Sequence, residues 1–285
     1  MGVLNGIMND QNLIFIISQP RSGSTFLQSL LSNNSQINTS SESWMMLALS
    51  PLLKPCSVKE ADYDHAMATD AFHDYCAKFK INHQQQLKNF AFNHYSPMLQ
   101  GFSLIIDKTP RYWEIVNELY ALFPKAKYIL LQRSPVDVVE SMIKTWNFKT
   151  LNDLKYLGRD LLFAPQIITN FLNQHGDQEN VQCLTYQELI KNTVKVTGDL
   201  YEWIGVPFLK AYINISNNLK VLGKYGDPYV NGQEKQNQQV APHFQEFICG
   251  YAHSLGSKYL QNFGLSDKSF SKTRDFENFR KSFTK

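Results

Sequence analysis

The chain has 285 residues, 43% of them hydrophobic and 19% charged, with a formal net charge of +3. That balance is ordinary for a soluble globular protein, and at this length one α/β domain over residues 1–285 is expected. There is no long basic run, so no nucleic-acid partner is expected, and no apolar run approaches the ~20 residues of a membrane-spanning helix.

The N-terminus lacks a basic segment followed by a long apolar core, so no secretory signal is expected. Gly6 stands where a myristoylation motif wants Ser or Thr. Cys56, Cys76, Cys183 and Cys249 are far apart, which excludes a C-x-x-C metal or redox motif. They read as buried thiols of a reducing compartment, with a disulfide left open. A bacterial-style cytoplasmic enzyme fits these features.

In chain order, Leu13-Ile-Phe-Ile-Ile17 predicts a short, fully buried strand. Pro20 ends it, because proline has no N–H to give to a ladder. Arg21-Ser-Gly-Ser-Thr25 is a turn, and Phe26, Leu27, Leu30 and Leu31 recur at helical spacing, so a helix starts near Ser24. Ser41 is expected to cap a second helix through Met45–Leu49, with Glu42 in its first turn. Residues 57–100 predict a helical insert between the first two core strands, placed to serve as a lid over an acceptor. Its histidines, His65, His73, His83 and His94, form no H-x-x-x-H pair and are expected at the surface or in packing.

Ser103–Asp107 is a second strand, ended by Lys108-Thr-Pro110, and Arg111–Leu122 an amphipathic helix. Lys127–Gln132 is a third strand, with Arg133-Ser-Pro135 as its exit and a helix over Val136–Trp146. A helical stretch with a break near Pro165 follows over Leu151–Gln174. Val181–Leu184 is a fourth strand, leaving through Thr185-Tyr186, and Thr193–Gly205 a further helix. The last third is loop-rich, with a closing helix over His243–Phe263 and a peripheral tail over 266–285. Four buried strands alternating with helices predict a parallel sheet covered on both faces. Ligands of such sheets sit beyond the carboxyl ends of the strands, where Arg21, Lys108, Arg133 and Tyr186 all emerge.

The first strand, its small-residue loop and the following helix make an anion site. Free amides of the first helical turn point into the loop, and the helix dipole adds positive potential. Gly23 lets the backbone come close to the anion. Ser24 and Thr25 add hydroxyl donors, and Arg21 a fixed charge with fork geometry. The Walker loop G-x-x-x-x-G-K-[ST] is not present, since its first glycine and its lysine are missing. The loop therefore suits a phosphate-like group but not a standard magnesium nucleotide.

Pro20-Arg-Ser-Gly-Ser-Thr-Phe26 instead resembles the 5′-phosphosulfate loop of the sulfotransferase family, which uses 3′-phosphoadenosine 5′-phosphosulfate (PAPS). Leu131-Gln-Arg-Ser-Pro-Val-Asp-Val-Val-Glu-Ser141 is similar to that family's 3′-phosphate motif, and Tyr186-Gln-Glu-Leu189 to its adenine-contacting Y-E-D-L segment. Glu42 stands 21 residues beyond Arg21, the offset of the general base in the branch that includes protein-tyrosine, carbohydrate and several bacterial sulfotransferases. Lys108 in D-K-T-P resembles the lysine of the same branch. The resemblance covers roughly residues 13–205, with weaker support to about 235.

It implies a P-loop-like α/β fold. It also implies sulfuryl transfer from PAPS to an acceptor hydroxyl or amine, releasing adenosine 3′,5′-bisphosphate (PAP), without a metal. Arg21, Ser22, Gly23, Ser24, Thr25, Phe26, Arg133, Ser141 and Tyr186 would bind PAPS, and Glu42, Arg21 and Lys108 would act in catalysis. The acceptor would be a small molecule, a carbohydrate or a carrier-bound group. Two departures stand out. Arg21 replaces the loop lysine of the small-molecule branch and stays protonated. The family's C-terminal phosphate clamp has only Lys224 and Lys235 as candidates. A P-loop-type kinase and a non-catalytic adenosine-bisphosphate-binding module remain alternatives.

Overall fold

Runs of branched and aromatic residues become strands here because both faces of the sheet are covered. The strands β1 (Leu13–Ser18), β3 (Leu104–Lys108) and β4 (Lys127–Gln132) are buried over nearly their whole length. With β2 (Ile37–Thr39) and β5 (Val181–Thr185) they form one sheet in the order β2-β3-β1-β4-β5, every neighbouring pair parallel. The computed structural model describes residues 7–54, 65–215, 219–221, 226–227 and 240–283.

Helices fill the crossovers. β1 leads into α1 (Ser24–Ser32), and α2 (Met45–Ala48), α3 (Ser50–Leu53), α4 (His65–Lys78) and α5 (His83–Tyr95) lie between β2 and β3. A 3-10 segment (Pro110–Ile115) and α6 (Val116–Leu122) follow β3. After β4 come α7 (Pro135–Trp146), α8 (Gly158–Leu162) and α9 (Ala164–His175). After β5 come α10 (Tyr186–Lys191), α11 (Thr193–Ile204), α12 (His243–Leu255), α13 (Ser257–Gln261) and α14 (Arg274–Lys281).

Period-two alternation along the strands feeds two cores. Leu13, Phe15 and Ile17 pack with Leu119, Ile168 and Phe171 on one face. Ile14 and Ile16 pack with Leu27, Leu30 and Leu200 on the other. Each such fully buried side chain contributes about 1.5–3 kcal/mol relative to exposure. A third cluster joins α7 to α12 and α14 through Val139, Met142, Phe247 and Phe279.

Several expectations are corrected. The sheet has a fifth strand, β2, which takes its ladder from β3 alone in the register Ile37↔Leu104 to Thr39↔Ile106. Arg111–Leu122 is not one helix, since its first half is 3-10. Ser41 caps nothing: α2 begins after Trp44, whose φ of 54° is left-handed, so Glu42 lies before the helix. No residue of the described insert lines the large cavity at the sheet edge. Leu87, Ala91 and Tyr95 of α5 are buried in the core. His73 and His83 stack with ring centres 4.9 Å apart, a packing role as expected of these histidines. The closing helix is interrupted at Gly256, where φ is 80°. The C-terminal segment carries α14, with Phe276 and Phe279 buried. Cys56, Lys224 and Lys235 lie outside the described residues. Among the described residues no helix is long and apolar enough to cross a membrane.

Candidate active site

A cavity of about 720 Å³ opens at the carboxyl ends of the strands. Its floor is the loop between β1 and α1. Ser22 N–H donates to the Gln19 carbonyl at 3.2 Å, and Leu27 N–H to the Gly23 carbonyl at 3.1 Å, which closes the turn and starts α1. Gly23 is the N-cap of α1 with φ 93°, and a Cβ there would overlap the Tyr186 ring. Glycine is therefore required twice, by conformation and by space. Arg21 also has a positive φ, 71°. Ser22 Oγ is buried and has no hydrogen-bond partner. Gln19 is anchored from behind, donating to the Asp160 carbonyl at 2.8 Å and to the Tyr251 hydroxyl at 3.0 Å.

The arginine that leaves β4 closes one wall. Arg133 Nη1 donates to the Arg21 carbonyl at 3.0 Å, and its guanidinium lies 4.7 Å from the centre of the Tyr186 ring. Arg21 Nε donates to Ser141 Oγ at 3.3 Å, and Arg21 Nη1 lies 3.3 Å from Asp227 Oδ1. Tyr186 is set at the start of α10 by a capping box, in which Thr185 Oγ1 accepts from Glu188 N–H and Glu188 Oε2 accepts from Thr185 N–H, both at 3.2 Å. Phe26 meets its ring edge-on at 6.3 Å.

The cavity wall also holds the Glu42 carboxylate, backed by a buried ammonium. Lys108 ends β3 and is 2% exposed; its Nζ donates to Glu42 Oε1 at 2.8 Å. Trp44 Nε1 donates to Glu42 Oε2 at 3.1 Å, so both carboxylate oxygens are held while the group still lines the cavity. Arg111 is fixed by Asp160 through Nε and Nη2 and lies 5.4 Å from the Trp44 ring centre. Burial opposes the Arg111 charge, but the bonds to Asp160 outweigh it and raise the guanidinium pKa.

A family model described as "Sulfotransferase family" matches residues 13–210, more than half of the chain. The chain belongs to the sulfotransferase family. This sulfotransferase is 33% identical over 138 residues to nodulation protein NoeE of Sinorhizobium fredii (strain NBRC 101917 / NGR234), covering 47% of the chain and 32% of the relative. It is 24% identical over 243 residues to protein-tyrosine sulfotransferase 1 of Danio rerio, covering 81% of the chain and 62% of the relative. The chain therefore spans less than two thirds of either curated relative. A solved sulfotransferase domain from the curacin biosynthetic pathway shares its fold, with a TM-score of 0.54 and 20% identity over 95% of this chain and 96% of that one.

Of the residues expected at the site, the sulfotransferase brings Arg21, Gly23, Ser24, Thr25, Phe26, Glu42, Arg133, Ser141 and Tyr186 to the cavity wall. Ser22 and Lys108 stand behind it, Lys108 in contact with Glu42. Trp44, Arg111, Lys144, Trp146 and Asp227 also line the cavity and were not expected. Arg111 follows the D-K-T-P segment directly, which was the available signal. Nothing in the sequence marks Asp227.

Proposed function

We propose that this sulfotransferase moves a sulfuryl group from PAPS to an acceptor hydroxyl or amine by in-line displacement, with Glu42 as the general base. The observation that carries the reading is the Glu42–Lys108 contact at 2.8 Å, with Glu42 lining the same cavity as the anion-binding loop. The glutamate is not a helix cap, because α2 starts at Met45. Its ionised form accepts hydrogen bonds from Lys108 and Trp44, which leaves a carboxylate oriented to take a proton.

The donor set fits PAPS. The loop offers the open amides of α1, a buried Ser22 hydroxyl without a partner, and the hydroxyls of Ser24 and Thr25. Arg133 and Ser141 would hold the 3′-phosphate, the first by its guanidinium fork and the second by a hydroxyl. Tyr186, stacked on Arg133, presents an aromatic face and a hydroxyl to the adenine. PAPS supplies the sulfuryl group and leaves as PAP. The protein's work is to position and to balance charge, which falls to Arg21, Lys108 and the loop amides. The similarity to a protein-tyrosine sulfotransferase favours a hydroxyl acceptor. Small-molecule, carbohydrate and carrier-bound acceptors all fit this chemistry.

Calorimetry tests the cofactor assignment. PAP is expected to bind more tightly than AMP or ATP, and Arg133→Ala to cost roughly 1.5–3 kcal/mol of PAP binding, the scale of hydrogen bonds to charged groups. Equal affinity for PAP and AMP would remove the 3′-phosphate role of Arg133 and Ser141.

A further inference from the structure

Behind the Glu42 wall lies a carboxylate that the chemistry above does not use. Asp107, on β3, is 5% exposed and accepts four hydroxyl hydrogen bonds. Its Oδ2 accepts from Ser43 at 2.8 Å, Tyr95 at 2.6 Å and Tyr112 at 2.9 Å, and its Oδ1 from Thr109 at 3.0 Å. Burial pushes the Asp107 carboxyl above its ordinary value, and the four hydroxyls oppose that shift.

Three of the hydroxyls have a second task. Thr109 Oγ1 accepts from Trp44 N–H at 3.5 Å, Ser43 Oγ from Met45 N–H at 3.3 Å, and Tyr112 OH from Met46 N–H at 3.2 Å. These amides open α2, which has no side-chain cap of its own. A helix start needs partners for its first N–H groups, and here they are hydroxyls aimed by one buried carboxylate. The arrangement also holds Trp44 in its left-handed conformation, φ 54° and ψ 6°, which a tryptophan adopts only when its surroundings impose it. In that conformation the indole N–H reaches Glu42.

We infer that Asp107 is a positioning residue for Glu42, acting through the Ser43, Thr109 and Tyr112 hydroxyls and the strained backbone of Trp44. The inference rests on the reading of Glu42 as the base. Asp107 does not line the cavity. Because it is adjacent to Lys108 on β3, the strand that supplies the ammonium to one carboxylate oxygen also fixes the segment that supplies the indole to the other. Tyr95 extends the arrangement to α5 of the helical insert.

The test uses the full chain, with PAP release from PAPS in water as the turnover probe and PAP calorimetry as the binding probe. Asp107→Asn and the milder Ser43→Ala are each made in the native and the Glu42→Gln background. In the native background each is expected to lower turnover by roughly 10- to 100-fold, the scale of a small misplacement of a reacting group, with PAP affinity held within about two-fold. In the Glu42→Gln background neither is expected to lower it further, because the group they position is already gone. Hydrogen exchange of the amides of residues 44–46 is expected to quicken in Ser43→Ala while the β1 amides stay protected. An equal loss in both backgrounds, or unchanged exchange over residues 44–46, would overturn the positioning role. Full turnover in Glu42→Gln alone would instead remove the base assignment, and the exchange comparison then judges the positioning by itself.

Discussion

At the scale of single residues, the site depends on charges that are held rather than merely present. Glu42 has one oxygen on Lys108 and the other on Trp44, so its orientation is set from two sides. Glu42→Gln keeps the shape and removes the base. Turnover should fall by about 10²–10⁴, the range of a positioned general base, while PAP affinity stays near the native value. Turnover and PAP titration on the same two proteins decide it, and full activity in the variant would sink the role. The spacing from Arg21 made Glu42 legible in the sequence, as did the residues of the loop. Trp44 was not legible, because its role arises from a left-handed backbone; Arg111 was marked only by its place after D-K-T-P, since its partner Asp160 lies 49 residues beyond it. Ser22 was legible as a loop member, but its burial without a partner follows only from the folded turn.

At the scale of elements, the C-terminal helix is joined to the cofactor loop by a continuous chain of contacts. α14 places Phe276 beside Tyr251 of α12, with ring centres 5.8 Å apart. The Tyr251 hydroxyl accepts from Gln19, two residues before Arg21. Phe276→Ala should therefore destabilise the protein by about 3–5 kcal/mol, the cost of emptying a buried phenylalanine site. Urea unfolding measures this, and a loss within about 0.5 kcal/mol would place the segment at the surface. The sequence hid this helix because its apolar residues are few and set among charges; only packing on α12 makes them a core. β2 was hidden for a related reason. Ile37-Asn-Thr39 carries no apolar run, and its strand character comes from pairing with β3. The three inner runs, β1, β3 and β4, were legible because both their faces are buried, which leaves an apolar signature that needs no partner to be recognised.

At the scale of the whole molecule, the groups proposed to bind PAP come from three strand exits far apart in sequence: the loop after β1, Arg133 after β4 and Tyr186 after β5. Folding alone brings them together, so a ligand that needs all three binds the native chain and not the unfolded one. Such a ligand stabilises by RT ln(1 + [L]/Kd), about 2.7 kcal/mol at a hundredfold excess over Kd. For domains of 150–250 residues each kcal/mol moves Tm by roughly 2–4 °C, so PAP at that excess should raise the melting temperature by several degrees. Adenosine at the same concentration lacks both phosphates and should raise it far less, since the strong hydrogen bonds are those to charged groups. Arg133→Ala should shrink the PAP shift and lower the ligand-free melting temperature much less, because its contacts to the Arg21 carbonyl, the Tyr186 ring and Asp137 lie at the wall of the cavity rather than in the sheet core. Thermal melts of the two proteins with PAP, adenosine and no ligand separate the cases. Equal shifts by PAP and adenosine would mean that the phosphates do not bridge the strand ends, and the shared site at the sheet edge would have to be given up.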